Sequence, residues 1–576
     1  MDNKVIADMF NEMASMLSLE EDRPTSIFEV RAYQKAALTI GTLQEDVEDI
    51  YKKEGKKGLM HLAGVGKGIA DKIEEYIQTG KIKKYQELKK KYPFDMKVLT
   101  SIEGLGAKKA IVLYRELGVK NLPDLKKAIE NHKISKLAGF GERSEEVIAK
   151  GIKRLESDKG RLLLGDALPV AESMMDKLMK SGLVEKAVIA GSARRMRETV
   201  GDLDILALSN KNKEVMDFFS KLSEVSGTNL SGPTKTTVLL KIGINCDLRV
   251  ISPESFGAAL QYFTGSKDHN VQVRTISVNK GYKLNEYGLF DKKEKLIPTK
   301  NEEEIYEKLG MQYVPPEMRE ARGEVKLAQE HKIPVLVDIK DIKGDMHTHT
   351  SDTDGANTIE EMAEAAMKYG HEYFATTNHT KSLGIARGMN EKQFETYFKK
   401  VDKLNNLLEG KIRILKGAEI DILKDGSLDL SDNCIKSMDW ALGAIHSNFK
   451  MSEEEMTKRI TKAFDTGLLN AFAHPTGREL NARDQYPLDM EKLFESAEHN
   501  KIALEINSFP SRLDLSDTNI MKASKYKIKF SIGTDAHRVS HFSFLRYGVG
   551  TARRGWLTRD KIINTLSLKN LMKELD

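Results

Sequence analysis

Short apolar runs that stop at a histidine or a carboxylate recur through the last 234 residues of the chain. They are Gly344 to His349, Tyr373 to His379, Ile412 to Glu419, Trp440 to His446, Leu469 to His474 and Lys529 to His537, with Ala503 to Asn507 as a seventh run of strand-like composition. Amphipathic segments such as Thr358 to Tyr369 and Met490 to Glu498 lie between them. Four to eight apolar residues alternating with helical periodicity describe buried parallel strands joined by helices. Barrels of that kind keep their active sites at the C-terminal ends of the strands. Nine of the thirteen histidines fall in this region, with most of them at those ends. A single histidine there is usually a satisfied core residue; a repeated placement points to metal binding. Mixed imidazole and carboxylate donors suit Zn2+, Mn2+ or Fe2+ better than Ca2+.

A second acidic constellation lies upstream, in Ile189 to Leu206. Val188, Ile189 and Ala190 read as a buried strand entering Gly191-Ser192, and a second strand covers Asp202 to Leu208. Side chains alternate along a strand, so Asp202 and Asp204 share one face while Leu203 and Ile205 point to the core. Asp247, in the strand-like run Ile244 to Ile251, can join that face. Clustered carboxylates repel one another, and Mg2+ is a suitable counter-charge that leaves room for substrate phosphates.

Gly191-Ser192, Arg194-Arg195 and Gly201-Asp202-Leu203-Asp204 resemble the nucleotidyltransferase signature. Together with Tyr262-Phe263-Thr264-Gly265-Ser266, Asn270 and Arg274, they resemble the X-family DNA polymerases, the relatives of DNA polymerase beta. The resemblance implies a palm with catalytic, Mg2+-binding Asp202, Asp204 and Asp247. It also implies contacts to the incoming deoxynucleoside triphosphate (dNTP) from Gly191, Ser192, Arg195, Tyr262, Phe263, Gly265, Asn270 and Arg274. Lys267 stands where animal members carry an acidic residue.

The first 155 residues read as helical and contain one repeated device, an apolar residue two positions before Gly-x-Gly and then a helix. It occurs at Gly64 and Gly66, at Gly104 and Gly106, and at Gly139 and Gly141. Such turns expose backbone N–H groups at a helix start, a ready phosphate site. They resemble helix-hairpin-helix motifs, which grip the DNA backbone without reading bases. Residues 1–50 hold 4 Lys/Arg against 11 Asp/Glu, whereas residues 51–150 hold 23 against 13, so the basic surface coincides with the repeats. Lys72 and Tyr33 match the lyase pocket of polymerase beta, with Lys72 as the Schiff-base nucleophile; Glu29 and Gly68 replace basic residues there.

The C-terminal run of ligands resembles the polymerase and histidinol phosphatase (PHP) domain. All nine positions of that family's trinuclear site are filled, by His347, His349, Asp354, His379, Glu419, His446, His474, Asp535 and His537. Asn378 replaces an aspartate common in the family. The expected architecture is multidomain: an all-α helix-hairpin-helix region, an α+β nucleotidyltransferase palm with thumb, and an α/β PHP domain built as a distorted β/α barrel. The boundaries read as 1–85 (lyase-like), 86–158 (fingers-like), 159–260 (palm), 261–316 (thumb), 317–342 (a charged helix and linker) and 343–576 (PHP).

Two cysteines, Cys246 and Cys434, exclude a disulfide framework or a thiolate zinc cluster. No apolar run is long enough to span a bilayer, so a soluble, cytoplasmic monomer is expected, with gapped or primed DNA and dNTPs as partners. The implied function is gap-filling DNA synthesis in repair. The resemblance adds a 3'-5' exonuclease in the PHP domain, and extends to abasic-site endonuclease or 3'-phosphatase action. Three other readings stay open on sequence alone: a small-molecule phosphoesterase, a DNA-binding scaffold with one inactive catalytic half, and a nucleotidyltransferase for RNA ends.

Overall fold

The computed structural model describes residues 3–19, 26–42, 47–62, 64–100, 102, 105–157 and 161–575. The chain divides into two compact units, Met1–Lys159 and Gly160–Asp576. The first is helical throughout its described residues, around a core that includes Phe10, Tyr33, Ile40, Ile73, Leu99 and Leu113. Helices Lys67–Thr79 and Ala107–Leu117 begin at Gly66 and Gly106, neither start capped by a side chain. A third helix, Glu142–Ser157, follows Gly141. Gly64 and Gly139 take left-handed φ angles of 78° and 81°, which lets the chain reverse before each helix. Gly104 lies outside the described residues.

The second unit opens with helix Leu164–Lys180, which begins four residues earlier than the periodicity of Leu168 to Lys180 suggests. It leads into a five-stranded sheet in the order Lys186–Ile189, Asp202–Leu208, Asn245–Ile251, Lys235–Leu240, Val225–Ser231. The basic turn between the first two strands contains a short helix, Gly191–Arg194. Tyr262 and Phe263 lie at the end of helix Phe256–Thr264. Seven of that helix's nine residues are buried, and its near-continuous apolar run mimics a strand.

The stretch read as a charged helix and linker, 317–342, is a packed part of the molecule. It forms short helices at Pro316–Met318, Glu324–Gln329 and Ile339–Asp341. Arg319 and Glu324 are fully buried. Arg319 Nη1 meets Glu302 Oε1 at 2.5 Å, and Glu324 Oε1 meets His269 Nδ1 at 2.7 Å. Charges that look solvent-facing in the sequence are therefore held inside by partners 17 and 55 residues away.

Beyond it, seven parallel strands follow one another around a sheet: Gly344–Thr348, Tyr373–Thr376, Arg413–Asp421, Trp440–Ala444, Ala471–Phe472, Ala503–Asn507 and Phe530–Gly533. Nearly every strand residue is buried, as both faces are covered. Helices Ile359–Lys368, Glu391–Leu407, Glu453–Phe464 and Met490–His499 supply apolar residues to the outer core. The first and last strands approach through a single parallel bridge, Thr348 to Ala536, giving a nearly closed barrel.

Candidate functional sites

In the palm, strands Asp202–Leu208 and Asn245–Ile251 run parallel, with Asp204 opposite Asp247 and Asp202 opposite Asn245. The three carboxylates therefore rise on one face, while Leu203, Ile205, Cys246 and Leu248 are fully buried. Burial, then the charges of Asp202 and Asp247, push the Asp204 carboxyl up to about 7. Asp247 accepts a hydrogen bond from Thr237 Oγ1 at 2.6 Å and pairs with Lys235 Nζ at 2.7 Å. Arg249 Nη2 stands 3.9 Å from the same carboxylate, with its guanidinium 4.4 Å from the centre of the Phe263 ring.

Gly191 sits against this cluster at φ 62°, where a Cβ would collide with Asp204 Oδ2. Half-buried Ser192 follows it. Arg195 is placed differently from a free anion-binding arm: its Nη1 donates to Thr264 O at 2.6 Å and its Nε pairs with Glu320 at 3.1 Å. It abuts Gly265, as a Cβ there would lie 3.2 Å from Arg195 Nη1. Arg194 donates to Thr264 Oγ1 at 2.5 Å and pairs with Glu302 at 2.6 Å. Asn270 Nδ2 holds Tyr262 O at 2.7 Å, and the exposed Arg274 lies over the Tyr262 ring at 6.0 Å. The expected dNTP-binding residues thus form one connected set.

In the barrel, three groups of ligand atoms, each group within 4.8 Å, could hold metal ions. They are His349, Asp354, His379 and His537; His347, His349 and Asp535; and His379, Glu419 and His446. His349 and His379 each belong to two groups. His474, outside all three, points its Nε2 at Glu419 Oε1, 2.8 Å away. The donor set fits divalent ions on two observations. Nε2 of His347 and Nε2 of His349 converge to 3.1 Å, and the buried Nδ1 of His349 has no hydrogen-bond partner. Burial and then the His537 and His379 rings hold His349 down at about 3, so its imidazole is neutral, the form that ligates. Among the described residues, clusters this tight occur only in the barrel.

The sequence reading missed the residues that aim these ligands. Glu505 Oε1 holds His347 Nδ1 at 2.7 Å, and Asp421 holds His446 Nδ1 at 3.0 Å. Asn507 Nδ2 donates to Asp535 at 3.2 Å, and Asp345 ties the strand ends by accepting from the His347 and Thr534 backbones. Carboxylates behind a ligating imidazole fix its tautomer and raise its basicity. Period-two spacing was the available signal: Asp345 lies two residues before His347, and Asp421 two after Glu419. Asn378 does not face the cluster alone; its Oδ1 accepts from Thr350 N at 2.9 Å and Thr353 Oγ1 at 2.8 Å, bracing the loop that carries Asp354.

In the helical unit, Lys72 Nζ donates to Gly68 O at 3.0 Å and stands 5.7 Å from the Tyr33 ring centre. Burial and then the exposed Glu29 push the Tyr33 hydroxyl up, so it stays protonated.

Comparison with known families places these parts. A helix-hairpin-helix domain matches residues 1–82 and a SAM-like helix-hairpin-helix tandem matches 96–154. The DNA polymerase beta thumb matches 259–320 and the PHP domain 345–509. That succession defines the class, an X-family polymerase core carrying a PHP domain. The DNA polymerase/3'-5' exonuclease PolX of Bacillus subtilis is 36% identical over 574 residues, 99% of either chain, and this chain belongs to the PolX family. Two other relatives match about a third of the chain. A probable phosphatase of Acetivibrio thermocellus is 30% identical over 34% of this chain and 78% of its own, and one of Aliivibrio fischeri is 27% identical over 38% and 88%.

Proposed function

We propose that the chain is a DNA-directed DNA polymerase that fills short gaps during repair, with a separate 3'-5' exonuclease in its barrel. The observation that carries this reading is the presence of two independent constellations, one of carboxylates in the palm and one of imidazoles and carboxylates at the barrel's strand ends, on a chain similar to PolX along its whole length.

Asp202, Asp204 and Asp247 would hold two Mg2+ ions, and the nine barrel residues three ions of Mn2+, Zn2+ or Fe2+. When bound, such ions would supply the positive charge that stabilises a phosphoryl group under attack and its departing oxygen. Asp247 stands next to Lys235 and Arg249, and by resemblance is the carboxylate nearest the primer 3'-hydroxyl. Gly191, Ser192 and Arg195 would hold the triphosphate. Tyr262, Phe263 and Gly265 would pack beside the sugar, and Asn270 and Arg274 along the minor-groove side of the new pair. The uncapped helix starts after Gly66 and Gly106 offer N–H groups to DNA phosphates, and Gly64, Gly139 and Gly141 shape the turns. In the barrel, Glu505 and Asp421 orient His347 and His446, while Asn378 fixes the loop of Asp354. Similarity to the probable phosphatases supports extending its chemistry to terminal phosphates and abasic sites. A cytoplasmic setting follows from the same kinship.

A labelled duplex with a one-nucleotide gap tests the reading. With the matching dNTP and Mg2+ or Mn2+ the primer grows by one nucleotide; without dNTP it shortens. If neither band moves with any of these metals, the polymerase-exonuclease reading fails and a non-catalytic scaffold replaces it.

Lys72 above Tyr33 supports a second activity, deoxyribose-phosphate lyase. Borohydride should trap the chain on an abasic-site oligonucleotide, and Lys72→Ala should abolish the adduct. A wild-type chain that gives no adduct refutes it.

A further inference from the structure

The carboxylate of Glu320 gathers arginines from two domains. Arg195 Nε and Arg554 Nη1 lie 3.1 and 2.9 Å from its Oε1, and Arg197 Nη1 lies 3.4 Å from its Oε2. Arg195 and Arg197 come from the palm. Arg554 is the last residue of helix Leu545–Arg554, part of the barrel domain, and is only 5% exposed. Its Nη1 also donates to the backbone carbonyl of Arg195 at 2.8 Å. Its Nη2 pairs with Asp517 at 2.6 Å, a carboxylate shared with Arg322 at 3.1 Å. The helix presses on the same turn: a Cβ at Gly550 would come within 2.6 Å of the Met196 side chain, next to Arg195.

Guanidinium groups do not shed their protons, so this cluster carries four positive charges against two carboxylates. Arg197 is exposed and Arg322 partly so, so solvent carries part of that surplus, while the two buried guanidiniums, Arg195 and Arg554, are held by the two carboxylates. The Arg195 guanidinium is the member that borders the Thr264–Gly265 turn, where the triphosphate is expected. Two of its nitrogens are committed, one to Thr264 O and one to Glu320, which leaves Nη2 as its remaining donor.

We propose that Arg554 is a positioning residue for nucleotide addition: reaching out of the barrel domain, it fixes the backbone at Arg195 and the Glu320 carboxylate that orients the Arg195 guanidinium. The barrel domain thereby sets how well the palm holds an incoming dNTP. This rests on the reading of Arg195 as a triphosphate contact.

The test uses full-length protein, measuring gap-filling kcat and KM for dNTP, exonuclease rate on a labelled single strand, and Tm. Arg554→Met should raise the dNTP KM by about tenfold with kcat within about twofold, and Arg554→Lys should recover part of that shift. The exonuclease rate should stay within about twofold of wild type in both. Arg546→Met is the control. Arg546 sits on the same helix and also bridges to the palm, pairing with Glu172 at 2.9 Å, but away from Arg195; its dNTP KM should not change. An unchanged KM in folded Arg554→Met, or an equal rise in Arg546→Met, overturns the proposal. If Arg554→Met does not fold, Glu320→Gln reads the same link, and an unchanged KM there overturns it equally. Arg195→Met separates the two readings: if it leaves KM unchanged, the triphosphate assignment itself is wrong, whereas a rise there without one in Arg554→Met sinks only the positioning role.

Discussion

The palm and the barrel gather ligands in opposite ways. In the palm, three carboxylates stand on two neighbouring strands, and the protein's own cations, Lys235 and Arg249, lean on one of them. In the barrel, nine side chains from strand ends 190 residues apart close on one another, and buried carboxylates behind them lock their orientation. The barrel cluster is assembled in advance and nearly complete within the chain. The palm cluster is open, and on the proposed reading substrate oxygens would finish it. A site that changes its substrate at every step needs such openness, while a site that cuts one kind of bond can hold its ions permanently.

The largest expected effect separates the two sites outright. Asp204→Ala should lower nucleotide addition by about 10^3-fold or more and leave shortening of a labelled strand intact, and His349→Ala should do the reverse. Loss of both activities from either change, in a protein that still melts cooperatively, breaks the two-site picture. The next effect concerns resident ions. After desalting, elemental analysis should find metal retained by wild type and by Asp204→Ala, and less by His379→Ala, whose ring serves two of the three groups. Equal metal content in all three would mean that the barrel is no more preassembled than the palm. A shared effect comes third: raising salt from about 50 to about 200 mM should weaken duplex binding by at least about tenfold, and slow both activities together, because phosphate contacts release counterions. A flat response would remove the backbone-gripping role from the glycine turns.

The smallest effect is on stability. His371 lies outside both clusters, 5% exposed, with neither ring nitrogen hydrogen-bonded, and burial holds it down at about 4. Because its folded value is below the unfolded 6.5, the folded state prefers the neutral ring. Its contribution is intact above pH 6.5 and is lost as pH falls from 6.5 through 4, about 3 kcal/mol in all. The melting temperature of His371→Leu should therefore decline less between pH 7 and pH 5 than that of wild type. Parallel curves would show that His371 is not the sensor.

What could be read from sequence follows from how local each feature is. Parallel strands that end in ligands leave a repeating mark, so the seven strands were visible before any geometry, while the set of nine donors rested on the resemblance to the PHP domain. Asp202 and Asp204 were readable from strand alternation, and Asp247 from its own run. Features set by distant partners were not. Arg319 and Glu324 carry the same letters as solvent-facing charges, and only their burial against Glu302 and His269 turns a supposed linker into core. The apolar run ending in Tyr262 and Phe263 gave no periodicity to tell helix from strand. Arg554 and Glu320 are 234 residues apart, and nothing local in either marks the pairing.

The seam of the barrel also has a bearing on biosynthesis. Its first and last strands share one parallel bridge, Thr348 to Ala536, and ligands on both sides of that bridge, His347 and His349 on one and Asp535 and His537 on the other, belong to the same ion-binding groups. A ribosome makes residues 347 and 349 long before residue 535. A half-made chain therefore lacks two donors of the barrel's ion-binding groups, as well as Leu513 and Tyr547, which pack into the core of the palm. Arg554, which holds the backbone of the palm's Arg195, is made later still, so the two sites are not both complete until residue 554 has been made.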